Sequence, residues 1–190
     1  MKTIYNYILD YQDEKIDTIT TIDAMIFARL SYIHLENILN KIPLKIKDLV
    51  KYLDIMKINS RDKKLVEMLK DSKRFQDIEI TRCLSVLDKE KEEQFLGVTF
   101  NLEKIIFIAF RGTNRNIIGY KEDLNMSFMT IPSQIEAVNY VNSEKIMKPI
   151  YLGGHSKGGN LAMYSGINCN SMKHLLIKKI YNFDGPGFLE

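Results

Sequence analysis

The stretch Gly154-His155-Ser156-Lys157-Gly158 lies between a short apolar run, Pro149-Ile150-Tyr151-Leu152, and a helix-compatible run, Asn160-Leu161-Ala162-Met163-Tyr164. A G-x-S-x-G pentapeptide in that setting thrusts a serine out on a tight strand-to-helix turn, with glycines where side chains would clash. The pattern places a strand next to a helix and points to nucleophilic acyl transfer.

The rest of the C-terminal two-thirds agrees with alternating strands and helices. Ile78 to Leu87 alternates loosely and is rich in β-branched residues. After the polar turn Asp88 to Glu93 come two more short apolar runs, Gln94 to Phe100 and Lys104 to Phe110. Their connections are too short for a parallel crossover, so this part predicts an antiparallel meander. Lys104 to Phe110 is almost continuously apolar, as a strand covered on both faces should be. A loop, Asn114 to Gly119, then leads to a helix from Ser133 through Met147 with Ile135, Val138, Val141 and Met147 as its apolar stripe. Next come the strand into the serine turn, a helix from Gly158 to about Ile167, and a last strand from Ile177 to Phe183. This order predicts an α/β fold with a mostly parallel sheet, antiparallel at its start, and helices on its faces.

Residues 1–73 read as a helical N-terminal region and 74–190 as the sheet core of the same single domain. Ile22, Met25, Ile26, Arg29, Leu30 and Ile33 follow a helical spacing, all but one apolar, behind an N-cap at Thr20 or Thr21. Ile46 to Leu53 and Lys64 to Leu69 repeat the amphipathic pattern with lysines opposite. The mixed charges around Arg61 to Lys64 read as a solvated face.

The net charge of +3, from 27 basic and 24 acidic residues spread along the chain, is too small to argue for nucleic acid. Cys83 and Cys169 stand far apart, in no C-x-x-C or Cys/His cluster, so they read as buried free thiols in a reducing compartment. No residue pattern asks for a metal or a cofactor. Met1 to Asp10 is too short and mixed for a signal peptide, and no apolar stretch has transmembrane length. A cytoplasmic location is expected.

Three blocks carry a family resemblance: Ile108-Ala109-Phe110-Arg111-Gly112-Thr113, Gly119-Tyr120-Lys121-Glu122-Asp123-Leu124, and Gly153 through Ala162. They resemble the corresponding blocks of class-three triacylglycerol lipases in the α/β-hydrolase superfamily. Nearer still is the likeness to their bacterial Mbeg-like relatives, which Ile22 to Ile33 and Tyr181 to Phe188 also fit. The resemblance implies that Ser156 is the nucleophile and that the backbone N–H of Lys157 contributes to the oxyanion hole. It implies a second oxyanion donor at Thr113, through its main chain and its hydroxyl, with Asp123 as the carboxylate that braces it. Lys157 replaces the leucine common in the lipase motif. Its side chain either favours an anionic substrate or points to solvent, the second being the favoured reading.

A serine hydroxyl must hand its proton to a base as it attacks, and the base is usually an imidazole held by a carboxylate. Only His34, His155 and His174 are available. His155 adjoins Ser156, so its ring is expected to pack against the sheet or bond locally. His34 falls at the end of a predicted helix, and His174 precedes the last strand on the edge away from the serine. Asp184 is a candidate acid; otherwise Asp184-Gly185-Pro186-Gly187 is a turn shaping the site floor. Met126, Phe128, Met129 and Ile131 either line an acyl pocket or form a lid, or else pack as core under a loop.

The resemblance thus implies a serine ester hydrolase of lipase type whose last strands and base lie beyond Glu190, acting on a small ester or lipid-like substrate. The alternative is a non-catalytic hydrolase-fold fragment or interaction scaffold. On either reading the last strand is an apolar edge through which the chain could self-associate.

Overall fold

The computed structural model of the chain describes residues 3–114, 117–126 and 128–188. Its sheet has six strands in sequence order: β1 (Leu44–Lys45), β2 (Glu79–Asp88), β3 (Glu93–Asn101), β4 (Ile106–Phe110), β5 (Ile150–His155) and β6 (Ile177–Phe183). The first three pairings are antiparallel, whereas β4 with β5 and β5 with β6 are parallel. The fold is mixed α/β, but the expectation of a mostly parallel sheet is corrected, because antiparallel pairs are the majority. Chain length between strands decides this. Residues 89–92 and 102–105 allow only hairpins, so β2–β3 and β3–β4 must be antiparallel, whereas the gaps after β4 and β5 hold enough chain for a crossover.

Those gaps are filled by helices. Between β4 and β5 lie α5 (Ile117–Asn125) and α6 (Pro132–Asn142), and between β5 and β6 lie α7 (Lys157–Asn168) and α8 (Ser171–Leu176). Of the loop expected from Asn114 to Gly119, residues 115 and 116 fall outside the described residues, and Ile117 onwards is helical. Ahead of the main strands come α1 (Ile4–Asp10), α2 (Thr21–Leu30), α3 (Leu53–Met56) and α4 (Ser60–Asp71). Two 3-10 segments, Leu35–Lys41 and Ile46–Tyr52, join them, the second taking most of the stretch expected to be an amphipathic helix.

Thr20 is the N-cap of α2: its Oγ1 accepts the Asp23 N–H at 3.1 Å, and the Asp23 carboxylate accepts the Thr20 N–H at 2.9 Å. This reciprocal box starts the helix two residues after the Thr18-Ile19 pair. Phe27, absent from the expected stripe, is the centre of the buried face. Its ring meets Phe100 and Phe107 at centroid distances of 4.9 and 5.0 Å, while Met25 turns outward.

The sheet is covered on both faces. Ile26, Phe27 and Leu30 pack with Val98, Phe100, Phe107 and Ala109 on one side. On the other, Ile106, Ile108 and Phe110 pack with Ala137, Tyr140, Leu161 and Ala162. Alternate residues of β4 therefore enter different cores, which accounts for its unbroken apolar run. The α6 stripe also needs correction. The helix ends at Asn142, Ile135 and Met147 are exposed, and its inward face is Ser133, Gln134, Ala137, Tyr140 and Val141. That face is partly polar because it meets polar groups: Gln134 donates to Asn160 Oδ1 at 2.8 Å, and the Tyr140 hydroxyl lies 3.1 Å from Thr99 Oγ1.

Candidate active site

The three strands that run parallel end side by side, with Phe110 of β4 in register with Gly154 and His155 of β5 with Phe183 of β6. Loops at the carboxyl ends of such strands are where open α/β sheets bind ligands. Ser156 begins the turn from β5 to α7 with φ 56° and ψ −132°. A side-chain-bearing residue held there is strained by about 1–3 kcal/mol, and such strain persists only where the surroundings enforce it. The surroundings do so: the Ser156 N–H donates to Phe183 O at 2.9 Å. The turn also needs its glycines. A Cβ on Gly154 would run into the Gly158 carbonyl, and one on Gly158 into the Phe110 carbonyl.

The end of β4 delivers the second half of the site. A Cβ on Gly112 would come 3.4 Å from Ser156 Cβ, so the Gly112-Thr113 segment lies against the serine turn. Thr113 Oγ1 donates to both oxygens of Asp123, at 2.6 and 2.5 Å. Burial raises the Asp123 carboxyl above its usual value, against the opposing pull of that hydrogen bond. The Thr113 hydroxyl proton is thus directed at Asp123.

Tyr32 was not singled out in the sequence. Its hydroxyl accepts the Gly112 N–H at 3.0 Å and donates to His155 O at 3.3 Å, joining the ends of β4 and β5. The helix expected to run through Ile33 stops at Leu30, and this release lets Tyr32 reach the site. Burial raises its hydroxyl pKa, the Gly112 N–H opposing.

Lys157 is the largest departure. Its side chain is 1% exposed and neither meets solvent nor faces a ligand. Nζ donates to Glu122 Oε2 at 2.6 Å and to Gln94 O at 2.9 Å. Its backbone N–H, at the first position of α7, has no intrahelical acceptor and lies at the positive end of the helix dipole.

A family model described as Mbeg1-like matches residues 69–190. The chain belongs to the Mbeg1-like family. No curated protein and no solved structure matches it. Within the Mbeg1-like stretch fall Thr113, Glu122, Asp123, Ser156, Lys157 and Asp184, whereas Tyr32 lies ahead of it.

Among the described residues, no hydrogen bond links any of the three histidines to the Ser156 hydroxyl. His155 is exposed, its Nδ1 3.4 Å from the Tyr32 hydroxyl and its ring edge-on to that of Tyr32. His34, in the left-handed region at φ 56°, places Nδ1 3.3 Å from Glu36, whose carboxylate also takes Arg111 Nη1 at 2.7 Å. His174 is exposed on α8, ahead of β6. Asp184, also left-handed at φ 55° and exposed, follows β6. Its neighbour Gly185 is tight against the Ser156 carbonyl, and Asn160 Nδ2 donates to Pro186 O and Gly187 O at 3.2 and 3.0 Å. The turn is thus built into the floor of the site.

Two cavities flank this edge. One of about 260 Å³, lined by Met25, Ala28, Arg29, Tyr32, His155 and Phe183, adjoins the serine turn. The other, about 290 Å³, lies along α7 and is lined by Met126, Met129, Tyr164, Ile167 and Phe188 among others. The segment Met126 to Ile131 therefore divides: Met126 and Ile131 are buried, Phe128 and Met129 exposed. Both thiols are half-buried and free, and burial pushes Cys83 up to about 12. Among the described residues no cluster of three or more His, Cys, Asp or Glu could hold a metal, and no helix is long and apolar enough to cross a membrane.

Proposed function

We propose that this chain is a serine ester hydrolase of lipase-like type, in the α/β-hydrolase manner, forming an acyl-enzyme on Ser156. The observation that carries the reading is the strained Ser156 backbone between β5 and α7, with the Gly112-Thr113 segment packed against it. In this mechanism Ser156 Oγ attacks an ester carbonyl and its proton passes to a base. The carbonyl oxygen, now negative, is met by the main-chain N–H groups of Lys157 and Thr113; as the carbonyl re-forms, the ester C–O bond breaks and the base returns the proton to the departing alcohol, leaving the acyl group on Ser156. Donors fixed before the reaction need no reorganisation as charge develops, and losing one such donor slows comparable enzymes by about 10²–10³. No hydrogen bond among the described residues links any of the three histidines to the Ser156 hydroxyl, so this reading requires a base beyond those contacts. Asp184, at the end of β6, is the candidate acid that would orient it. The apolar cavity along α7 suits an acyl chain of a small ester or lipid-like substrate.

A second reading, a non-catalytic scaffold that keeps the turn for structural reasons, is favoured by one observation, the absence of a placed imidazole. A fluorophosphonate probe distinguishes the two. Labelling of this chain, or of the protein extended past Glu190, that disappears in Ser156→Ala supports the hydrolase. No serine-dependent labelling in either form leaves the scaffold.

A further inference from the structure

Glu122 and Asp123 are neighbours on α5, yet they reach the two halves of the candidate site. Asp123 holds the Thr113 hydroxyl. Glu122, 1% exposed, accepts the Lys157 ammonium and the Gln94 N–H (3.1 Å) on Oε2, and the Ser133 N–H (3.0 Å) on Oε1. Lys157 Nζ donates in turn to the Gln94 carbonyl. The pair thus joins β3, α5, the first turn of α6 and the residue after Ser156.

The way α5 is seated gives this weight. Its buried residues are Gly119 and Glu122, whereas Ile117, Tyr120 and Leu124 are exposed. Apolar burial, the usual way a helix docks, is largely missing from it. A buried ion pair is in general a poor source of stability, often matched or bettered by apolar residues of similar volume. Its use here is better explained by location.

We infer that the Lys157–Glu122 pair is a positioning device. It anchors α5 to the serine turn, so that Asp123 on the same helix holds Thr113 in place and one helix sets both oxyanion donors. The role in catalysis rests on Ser156 being a nucleophile; the anchoring does not. The side chains of Lys157 and Glu122 touch no reacting atom and act through the main chain they hold.

Hydrogen exchange and probe labelling test this together on Lys157→Met and on the neutral double variant Lys157→Met/Glu122→Gln, which leaves no lone buried charge. The expected result is exchange of the α5 amides faster by about tenfold or more, with the amides of β4 and β5 unchanged. Fluorophosphonate labelling of Ser156 should slow by about tenfold to a hundredfold. Thr113→Val, which cuts the link at its other end, should slow labelling while α5 exchange stays as in the unaltered chain. Exchange over α5 within about twofold of the unaltered chain in the folded variants overturns the anchoring. Loosened α5 with an unchanged labelling rate overturns the positioning role, and global unfolding of the double variant overturns it too, because the pair would then serve the whole fold. Absence of Ser156-dependent labelling both in this chain and in the protein extended past Glu190 overturns the hydrolase reading, while the exchange result alone still decides the anchoring.

Discussion

Two carboxylates near the candidate site titrate in opposite senses because their surroundings differ. Burial alone would raise Glu36, but the Arg111 guanidinium, by charge and hydrogen bond, outweighs it and holds the carboxyl below the usual 4.5. The unfolded chain then binds that proton more tightly than the folded one. Glu36 accordingly contributes stability above about pH 4.5 that is lost as pH falls through its lower folded value. Asp123 is raised above the usual 3.8 by burial, which outweighs the Thr113 hydrogen bond and the Lys157 charge that pull it down. Its contribution is present below about pH 3.8 and is lost as pH rises through the raised value. Urea unfolding between about pH 3 and 7 checks both signs. The stability gap between the unaltered chain and Glu36→Gln should narrow towards acid, whereas Asp123→Asn should gain on the unaltered chain as pH rises. Parallel pH trends for the two variants would contradict the assignment. Lys157 shows why such residues resist a reading from sequence. A lysine in the first turn of a helix is ordinarily solvated, and the partner that buries this one is 35 residues away in the chain.

At the scale of elements, patterns that depend on local chemistry were legible and those that depend on a distant partner were not. The strands from Glu79, Glu93, Ile106, Ile150 and Ile177 follow from β-branched and apolar runs, and the Thr20 cap follows from its place before an apolar repeat. By contrast α5 carries exposed apolar residues and a buried glutamate, the reverse of the pattern that marks a helix. The buried face of α2 was legible only in part, Ile26 and Leu30 being buried as expected but Met25 exposed and Phe27 at the centre, for a related reason. Asp23, which would be expected to face water, is fully buried, because Arg74 donates to its two oxygens at 2.8 and 2.7 Å and the Tyr7 hydroxyl (3.1 Å) and the Thr20 cap donate to it as well. That turns the helix so that Phe27 points inward. Arg74→Ala should therefore destabilise the protein by about 3–5 kcal/mol, because it strands a buried charge. Exchanging the pair for neutral groups, Asp23→Asn with Arg74→Met, should recover part of that loss. Denaturant midpoints of the three proteins measure this; a single variant within about 1 kcal/mol of the unaltered chain would show that the pair holds nothing.

For the molecule as a whole, the stretch matched by the Mbeg1-like family, residues 69–190, is not a folding boundary. One face of its sheet presents Val98, Phe100, Phe107, Ala109 and Tyr181, and these are covered by Ile26, Phe27 and Leu30 from outside the match. The Tyr181 hydroxyl donates to Ile19 O at 2.8 Å, and the Tyr32 hydroxyl links the ends of β4 and β5, so the region ahead of Leu69 also supplies polar partners. Without it, large apolar side chains on two adjacent strands and on β6 would face water. At about 25 cal/mol per Å² of apolar surface, exposing a few aromatic side chains removes several kcal/mol, comparable to the whole margin of a small domain. Such a surface beside β6, whose outer edge has no partner strand among the described residues, also invites association. A chain beginning at Leu69 should accordingly bind a hydrophobic dye, lose a cooperative thermal transition and sediment as mixed aggregates, where residues 1–190 give a single cooperative melt. Adding residues 1–68 as a separate polypeptide should restore cooperativity if the two faces dock as they do in the intact chain. A cooperative, monomeric and dye-silent fragment from Leu69 would show instead that the N-terminal helices are an accessory to the sheet, and Tyr32 would lose its claim to a place in the site.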